Sequence, residues 1–337
     1  MLFRSVLSNV KSDQKALDGL VADIMKQRYD ALSDKRGILR SAMVGYAKYG
    51  TKSPFTDIIP EADLKALKVE DLTNNIKTLC AFPHNVFYFG SRTMADAQAI
   101  VGAAHTTKPT KTLPAETVYP ELEITKNKVY FVNFPMVQSE IMMLSKGTKF
   151  DLQQKIMADW YNDYFGFGLS SIMFQEIREA KALAYSTFAA YGTPSAADRS
   201  HYLQAYVGTQ ADKLKDAVTS VKAIVEEMPV SAAQIENARL SILKKIESER
   251  IIKSSIYWTY LANKKLGLDS DVRNNAYAKM QSVTQEDLLK FQQKNVKGRN
   301  YSYLVLGDKS KVDMEFLKTL GEVEELSLKD VFGYSKP

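Results

Sequence analysis

The chain is poor in the residues that form disulfides and bind metals. It has one cysteine, Cys80, and three histidines, His84, His105 and His201, among 337 residues. A single cysteine excludes an internal disulfide framework. None of the histidines belongs to an HxxEH or HExxH pattern, which would place two imidazoles on one helix face. We therefore expect isolated surface or packing histidines and no catalytic zinc in this chain.

Long apolar runs and blocks of like charge are also missing. No apolar run approaches the ~20 residues that cross a bilayer, so no membrane span is predicted. The stretch 1–14 is too briefly apolar for a secretory signal, and no small-residue cleavage site follows. The net charge is +6, but no run of five like charges occurs. Interspersed charge favours a solvated, mildly basic surface over a nucleic-acid-binding one.

A weak internal repeat runs through the chain. Val69–Leu72 is followed by a polar helix and then by Asn85–Gly90. The same order recurs at Val283–Leu288 and Tyr301–Gly307. This pattern predicts a duplication of roughly two-hundred-residue units, each containing helix, Gly stop, helix and a strand ending in Gly.

The repeat predicts two domains, of which the first is incomplete. Residues 1–105 would be the C-terminal half of a first α+β domain, and 119–337 a complete second one. Residues 106–118, rich in Thr and Pro without an apolar period, are predicted to be an extended linker. We therefore expect the chain to be an N-terminally truncated piece of a larger protein.

The second unit alternates pairs of strands with pairs of helices. Strands are predicted at Lys128–Phe134, Val137–Leu144, Leu183–Tyr191 and His201–Gly208. One apolar stripe at helical spacing runs through Leu214, Val218, Val221, Val225 and Met228. Ser231 with Gln234 predicts a capping box at the start of the next helix. This order predicts an α+β fold, an antiparallel sheet with helices on one face.

The segment Trp160–Tyr191 carries the candidate chemistry. It predicts a helix, a Gly-punctuated turn, a second helix ending near Arg178, and a strand that contains Tyr185. From the residue types by themselves, Arg178 is interpreted as an exposed residue paired with a nearby carboxylate, and Tyr185 as a half-buried aromatic residue in a strand. The chain has no Gly-x-Ser-x-Gly elbow, and Cys80 has no identifiable base partner.

Several short motifs in this segment resemble one known family. They are Tyr164-Phe-Gly-Phe-Gly168, Ser170-Ser171, Phe174-Gln-Glu-Ile-Arg-Glu179 and Leu183-Ala-Tyr-Ser186. Together they are similar to the non-catalytic half of pitrilysin/insulinase-family zinc metallopeptidases. The resemblance covers the second unit almost throughout and the first more loosely. It implies duplicated α+β domains whose two halves close as a clamshell around an unfolded peptide.

The resemblance also implies roles for individual residues. It places an Arg and a Tyr of the zinc-free half across the chamber, here Arg178 and Tyr185, as catalytic and substrate-binding residues. Tyr191 and Tyr206, on neighbouring predicted strands, are further candidates for substrate binding. Zinc is expected in a partner half, encoded upstream in the same polypeptide or as a separate subunit. This chain alone is expected to be inactive.

Two other interpretations stay open. One is a catalytically inert scaffold subunit of the same superfamily, which would have no need of Arg178 and Tyr185. The other is a basic nucleic-acid-binding protein. A strongly salt-dependent affinity for DNA or RNA would support it. A soluble bacterial protein of this kind could be periplasmic or cytoplasmic, and the sequence does not choose between the two.

Overall fold

The computed structural model describes residues 9–105 and 109–336, which form two compact units. The first unit comprises Met1–Ala31 and Ile58–Val118, and the second Leu32–Asp57 and Tyr119–Pro337. The three residues that open the predicted linker, 106–108, lie outside the described part. Residues 109–118 form no helix or strand. The domain boundaries drawn from the repeat stay a prediction.

The first unit is helical in its described residues. Its helices are α1 (Gln14–Ala31), α4 (Glu61–Ala66), α5 (Val69–Thr78) and α6 (Met94–Ala104). Two helices that lie between α1 and α4 in the chain, α2 (Lys35–Gly37) and α3 (Val44–Tyr49), belong to the second unit. The strand predicted at Asn85–Gly90 is wrong, because these residues pair with no other strand. A strand needs a neighbour to satisfy its backbone groups. The aromatic residues Phe87 and Phe89 are accordingly exposed rather than packed in a sheet.

The second unit is built on a six-stranded sheet with the order β3-β4-β2-β5-β1-β6. The strands are β1 (Lys128–Asn133), β2 (Gln138–Lys149), β3 (Ser186–Gly192), β4 (Ser200–Gln210), β5 (Ser302–Gly307) and β6 (Glu322–Leu326). The pairings β3–β4, β2–β4 and β2–β5 are antiparallel, whereas β1 pairs in parallel with β5 and β6. The α+β class is confirmed, with a mixed rather than purely antiparallel sheet.

One face of the sheet packs against a layer of helices and forms the main core. Leu203, Ala205 and Val207 of β4 point into this core, as the period of two in a strand requires. The α-helices that follow β1 along the chain are α7 (Leu152–Tyr161), α8 (Leu214–Glu226), α9 (Ala232–Ser248), α10 (Ile256–Lys265), α11 (Val272–Ser282), α12 (Gln285–Asn295), α13 (Met314–Leu320) and α14 (Leu328–Phe332). The stripe from Leu214 to Met228 is buried in this core, which confirms that helix.

The other face of the sheet is covered as well. A continuous helical segment, α2 (Lys35–Gly37), a π-helical turn (Ile38–Met43) and α3 (Val44–Tyr49), contacts β2, β5 and α14. Asp34 caps its start by accepting a hydrogen bond from the Arg36 N–H at 3.0 Å. The sheet is therefore sandwiched between helices, and the expectation of helices on one face only is wrong. The helices on this second face come from residues that precede the sheet by about a hundred positions in the chain. Local sequence patterns do not reveal a contact over that separation.

Candidate functional site

The segment between α7 and β3 is fixed at its start by a buried tryptophan. Trp160 is almost fully buried, and its indole N–H donates to the carbonyl of Ile235 at 3.1 Å. Asp151 caps α7 by accepting from the Gln154 N–H at 2.7 Å. A π-helical turn, Asn162–Gly166, then continues α7 toward the glycines. The end of α7 is thereby held against α9 before the chain turns.

Asn162 and Gly166 attach this turn to the outer strand β3. The Asn162 side chain accepts from the Tyr191 N–H at 2.7 Å and donates to the Tyr191 carbonyl at 3.2 Å. A methyl group on Gly166 would overlap the carbonyl oxygen of Ala189 and lie 2.8 Å from its carbonyl carbon. Glycine is therefore required by close backbone approach. The amide and the glycine together cover backbone groups of the strand at the edge of the sheet.

Gly168 and Ser171 set the direction of the following helix. Gly168 has φ +89°, in the left-handed region that favours glycine. The Ser171 hydroxyl donates to the Gly168 carbonyl at 2.9 Å and accepts from the Phe174 N–H at 3.3 Å. These bonds start the π-helical segment Phe174–Ala180, which carries Arg178.

Arg178 lies near the end of this helical segment, as predicted, and points to solvent. Its guanidinium carbon is 4.9 Å from the centre of the Phe174 ring, and its Nε is 3.8 Å from a Glu179 carboxylate oxygen. Its side chain is 47% exposed, so this long ion pair is weak. The chain leaves the helix through Ala182, whose φ of +50° is uncommon for a residue with a Cβ.

Tyr185 lies one residue before β3, not within it. Its N–H donates to the Gly208 carbonyl at 2.9 Å, which anchors its backbone to β4. Its side chain extends to solvent, with 54% of its surface exposed. The Gln210 side-chain N–H donates to the Tyr185 hydroxyl oxygen at 2.9 Å. One acceptor position of the phenol is thus occupied, while its own O–H proton is free to be donated.

Tyr185 lines an open pocket of about 720 Å³ at one end of the sheet. The pocket lies where Gln138 of β2 pairs with Gln210 of β4. Its other lining residues are Lys35, Met136, Val137, Ala211, Asp212 and Lys311. Arg178 does not line it. The structure therefore leaves both predicted residues accessible but does not bring them into one pocket.

The two lysines of the pocket are already balanced by carboxylates. Lys35 pairs at 3.2 Å with Glu140, which is buried under the 35–49 helical segment. Lys311 pairs at 3.1 Å with Asp308. Hydrogen bonds from Ser310 and from Lys311 lower the pKa of Asp308 to about 2. The groups left to meet a ligand are the Tyr185 phenol, the glutamine amides and the Asp212 carboxylate.

Tyr191 and Tyr206 are buried in the second unit. Tyr191 accepts from the Gln154 amide at 2.6 Å, and burial raises its pKa to about 12. Tyr206 stacks on Phe188 with ring centres 5.3 Å apart, beneath the Arg40 guanidinium at 4.3 Å. Burial likewise raises the Tyr206 pKa to about 12. Both rings serve packing here, and their role in substrate binding stays a prediction without support from their positions.

Two of the three histidines are not isolated. His84 and His105 approach each other with 2.5 Å between their Nε2 atoms, and His84 Nδ1 is 2.7 Å from the Phe82 carbonyl oxygen. His201 is a packing residue, as expected, stacked on Tyr191 and bonded to the Gly192 carbonyl. Within residues 9–105 and 109–336, no three His, Cys, Asp or Glu side chains cluster as metal ligands. The expectation that this chain carries no catalytic zinc stays a prediction.

The structure adds two residues that the sequence did not single out, Gln210 and Asn162. Gln210 reaches Tyr185 only because β4 ends beside the start of β3, a long-range pairing without a local signal. Asn162 follows a recognisable helix, but its bonds to Tyr191 depend on where the edge strand runs. No helix of the described chain is long and apolar enough to span a bilayer.

Residues 88–241 match the family model of the peptidase M16 inactive domain. This range contains Asn162, Arg178, Tyr185 and Gln210. The comparison with curated proteins gave no match.

Solved structures with the same fold agree with this match. The peptidase M16 inactive domain from Pseudomonas fluorescens is 16% identical, with a TM-score of 0.65 over 93% of this chain and 74% of that one. A protease from Helicobacter pylori is 13% identical, with a TM-score of 0.63 over 88% and 73%. The ferredoxin protease FusC, solved with an Arabidopsis ferredoxin, is 11% identical, with a TM-score of 0.66 over 87% of this chain but 32% of its own. At these identities the structures establish the fold alone. The family model covers the segment that carries the resemblance, so residues 88–241 are similar to a peptidase M16 inactive domain, and the solved structures share the fold.

Proposed function

We propose that this chain is the substrate-clamping half of a zinc peptidase, which closes over unfolded peptides and supplies Tyr185 and Arg178 to the reaction. The observation that carries the proposal is the state of the Tyr185 phenol. It is exposed, and it accepts a hydrogen bond from Gln210. Its own proton is therefore directed away from that bond and is available to a ligand.

The chemistry follows from how a zinc peptidase works. Zinc in the partner half would polarise the scissile carbonyl and activate a water molecule. Negative charge then develops on the carbonyl oxygen, and a positioned O–H donor stabilises it by about 3 kcal/mol. Donation from Gln210 makes the phenol a better hydrogen-bond donor, because bonds in a chain polarise one another. Tyr185 would thus act in the transition state, and Gln210 would orient it.

Arg178 is suited to hold the substrate. Its ion pair with Glu179 is long and exposed, so its planar donors can turn to peptide carbonyls at small cost. It lies outside the pocket that Tyr185 lines, which suggests contact with a neighbouring part of an extended peptide. The site would be complete only when the zinc-bearing half closes over it, so this chain alone would be inactive.

One observation favours a second function, an inert scaffold subunit of the same superfamily. The pocket brings Tyr185 together with Gln210 and two paired lysines but not with Arg178. A scaffold places no demand on the distance between these residues. In that case the assembled protein would hydrolyse no peptide.

The test uses this chain assembled with its zinc-bearing half, whether that half is on the same polypeptide or separate. With an unfolded peptide as substrate, Tyr185→Phe should lower kcat by about 100-fold and leave KM nearly unchanged, as expected for a lost transition-state donor. Arg178→Ala should mainly raise KM. Tyr277→Phe is the matched control, because Tyr277 also has a hydroxyl bonded to a side chain, that of Glu247.

The outcomes separate the two functions. Unchanged turnover in both Tyr185→Phe and Arg178→Ala would refute the proposed roles. An assembly without peptidase activity, although its zinc site is loaded, would favour the scaffold. A loss in Tyr277→Phe equal to that in Tyr185→Phe would show that the effect is not specific to the pocket.

A further inference from the structure

Residues 85–90 of the first unit form an apolar segment that is exposed. All six residues are exposed, and none pairs with a strand that the structure describes. Val86, Tyr88 and Phe89 are 57%, 41% and 57% exposed. Four consecutive apolar residues, 86–89, would put large side chains on both faces of a strand. Such a run is typical of a strand that is buried on both faces, unlike the surroundings of this segment in the first unit.

Two helices that precede this segment have counterparts in the second unit. Helix α1 ends at Ala31, and α9 ends at Ser248, 217 positions later. Helix α5 begins at Val69, and α12 begins at Gln285, 216 positions later. A nearly constant separation of this kind indicates that the two units repeat the same order of elements.

A contact between helices repeats as well. Helix α4 contacts α1 in the first unit, and α11 contacts α9 in the second. The Tyr29 hydroxyl donates to the Glu61 carboxylate at 3.1 Å across the first pair of helices. The Tyr277 hydroxyl donates to the Glu247 carboxylate at 2.8 Å across the second pair. Because the packing repeats, the surroundings of an element in one unit indicate those that its counterpart requires.

The counterpart of segment 85–90 is β5, which begins and ends 217 positions later. All six residues of β5 are buried. β5 lies between β1, with which it pairs in parallel, and β2, with which it pairs antiparallel. β1 and β2 are consecutive in the chain, so β5 is inserted between two strands that a short loop connects. The described residues of the first unit include no counterpart of these two strands.

We propose that segment 85–90 is inserted as a central strand between two strands of a partner segment in the assembled protein, in which this chain is joined by its partner half. One partner strand would run parallel to it and the other antiparallel, as β1 and β2 do beside β5. Both would be rich in apolar residues, because strands in the middle of a covered sheet are buried on both faces. Main-chain hydrogen bonds would provide affinity, and the side chains of 86–89 would provide specificity. The inference does not rest on the proposed function, since a scaffold subunit would need the same pairing.

A second copy of this chain is the weaker occupant. Two copies of the segment would pair edge to edge, so each would gain one neighbour and keep one open edge. The repeat predicts a neighbour on each side, as β5 has. A partner with a split pair of strands supplies both sides, whereas a second copy of the segment supplies only one.

Hydrogen–deuterium exchange tests the pairing without any requirement for activity. In this chain alone the amides of 85–90 should exchange rapidly, because they bond to no strand that the structure describes. In the assembled protein their exchange should slow by at least about 100-fold, because a central strand donates its N–H groups to its two neighbours. Residues 113–118 are the control, since they also form no helix or strand, and their exchange should be the same in both samples.

Two proline variants distinguish an inserted strand from an edge strand. The N–H groups of Val86 and Phe89 would point to opposite sides of a strand, because successive residues alternate. Proline removes this donor, so Val86→Pro and Phe89→Pro should each restore exchange of the other amides to within about tenfold of the rate in the isolated chain. Val118→Pro is the matched control, because Val118 is exposed and outside any helix or strand, and it should leave the slow exchange unchanged. Circular dichroism of the isolated variants should equal that of the unchanged chain, since the segment forms no strand there.

Three results would overturn the inference. The first is equal exchange of 85–90 in the chain alone and in the assembled protein. The second is loss of slow exchange in only one of the two proline variants, which would show a single neighbour and an edge strand. The third is slow exchange in the chain alone that appears only where it dimerises, which would assign the segment to a second copy. Since no readout requires zinc or turnover, an assembly that protects 85–90 but hydrolyses no peptide would refute the proposed function alone.

Discussion

The contact between Gly166 and β3 gives the sharpest prediction about the fold that supports the site. In Gly166→Ala, the new methyl group would overlap the Ala189 carbonyl oxygen and lie 2.8 Å from the carbonyl carbon. Both atoms belong to the backbone of a strand bonded to β4, so no side-chain rotation can relieve the overlap. The turn and the strand must separate instead. That movement would loosen the Asn162–Tyr191 bonds and shift the segment that carries Arg178.

The magnitude follows from the known cost of overpacking. Inserting a methyl group into a well-packed site costs typically 1–3 kcal/mol, and a rigid backbone neighbour places this case at about 3 kcal/mol. One kcal/mol lowers Tm by roughly 2–4 °C in a domain the size of the second unit. We therefore expect Tm to fall by about 6–12 °C.

The assay is thermal unfolding of the purified chain followed by the fluorescence of Trp160, which reports on the second unit. Gly45→Ala is the matched control in the same unit, since its nearest contact would be an ordinary 3.4 Å from Phe55. That change should be neutral or stabilise the helix by about 0.5–1 kcal/mol. A Tm of Gly166→Ala within about 2 °C of the unchanged protein would show that the turn does not pack on β3 as described.

Two further predictions concern β3 and the neighbouring strand β4. Asn162→Ala should lower the free energy of unfolding by about 1–3 kcal/mol, because it removes both hydrogen bonds to the Tyr191 backbone. Urea titration measures the free energy of unfolding. Asn162→Asp keeps the acceptor but not the donor, so its stability should lie between that of the unchanged protein and that of Asn162→Ala. Equal stability of all three proteins would contradict this prediction. Burial lowers the pKa of His201, so below the ordinary His pKa of about 6.5 the unfolded chain binds an extra proton. Stability should therefore fall as the pH drops below about 6.5, and less so in His201→Asn. Parallel pH profiles of the unfolding free energy in the two proteins would be the opposing result.

Much of the second unit could be predicted from the sequence. The stripe from Leu214 to Met228 and the strands around Lys128–Phe134 and His201–Gly208 follow from periodicity, which depends on neighbouring residues alone. Arg178 lies near the end of its helical segment, as predicted from the order of helix, glycine turn and helix. Tyr185 lies one residue before β3 and not within it, because the pairing with β4 begins at Ser186. The strand predicted at Asn85–Gly90 failed because it has no partner to pair with.

The sequence by itself determined the α+β class, the helix-turn-helix-strand order around the glycines and the family resemblance, since each depends on residues close together in the chain. Only the tertiary structure decided what surrounds them. It placed Gln210 on Tyr185, Asn162 on Tyr191 and the 35–49 helical segment over the second face of the sheet. These are contacts between distant parts of the chain, set by strand order and packing, and no local pattern encodes them.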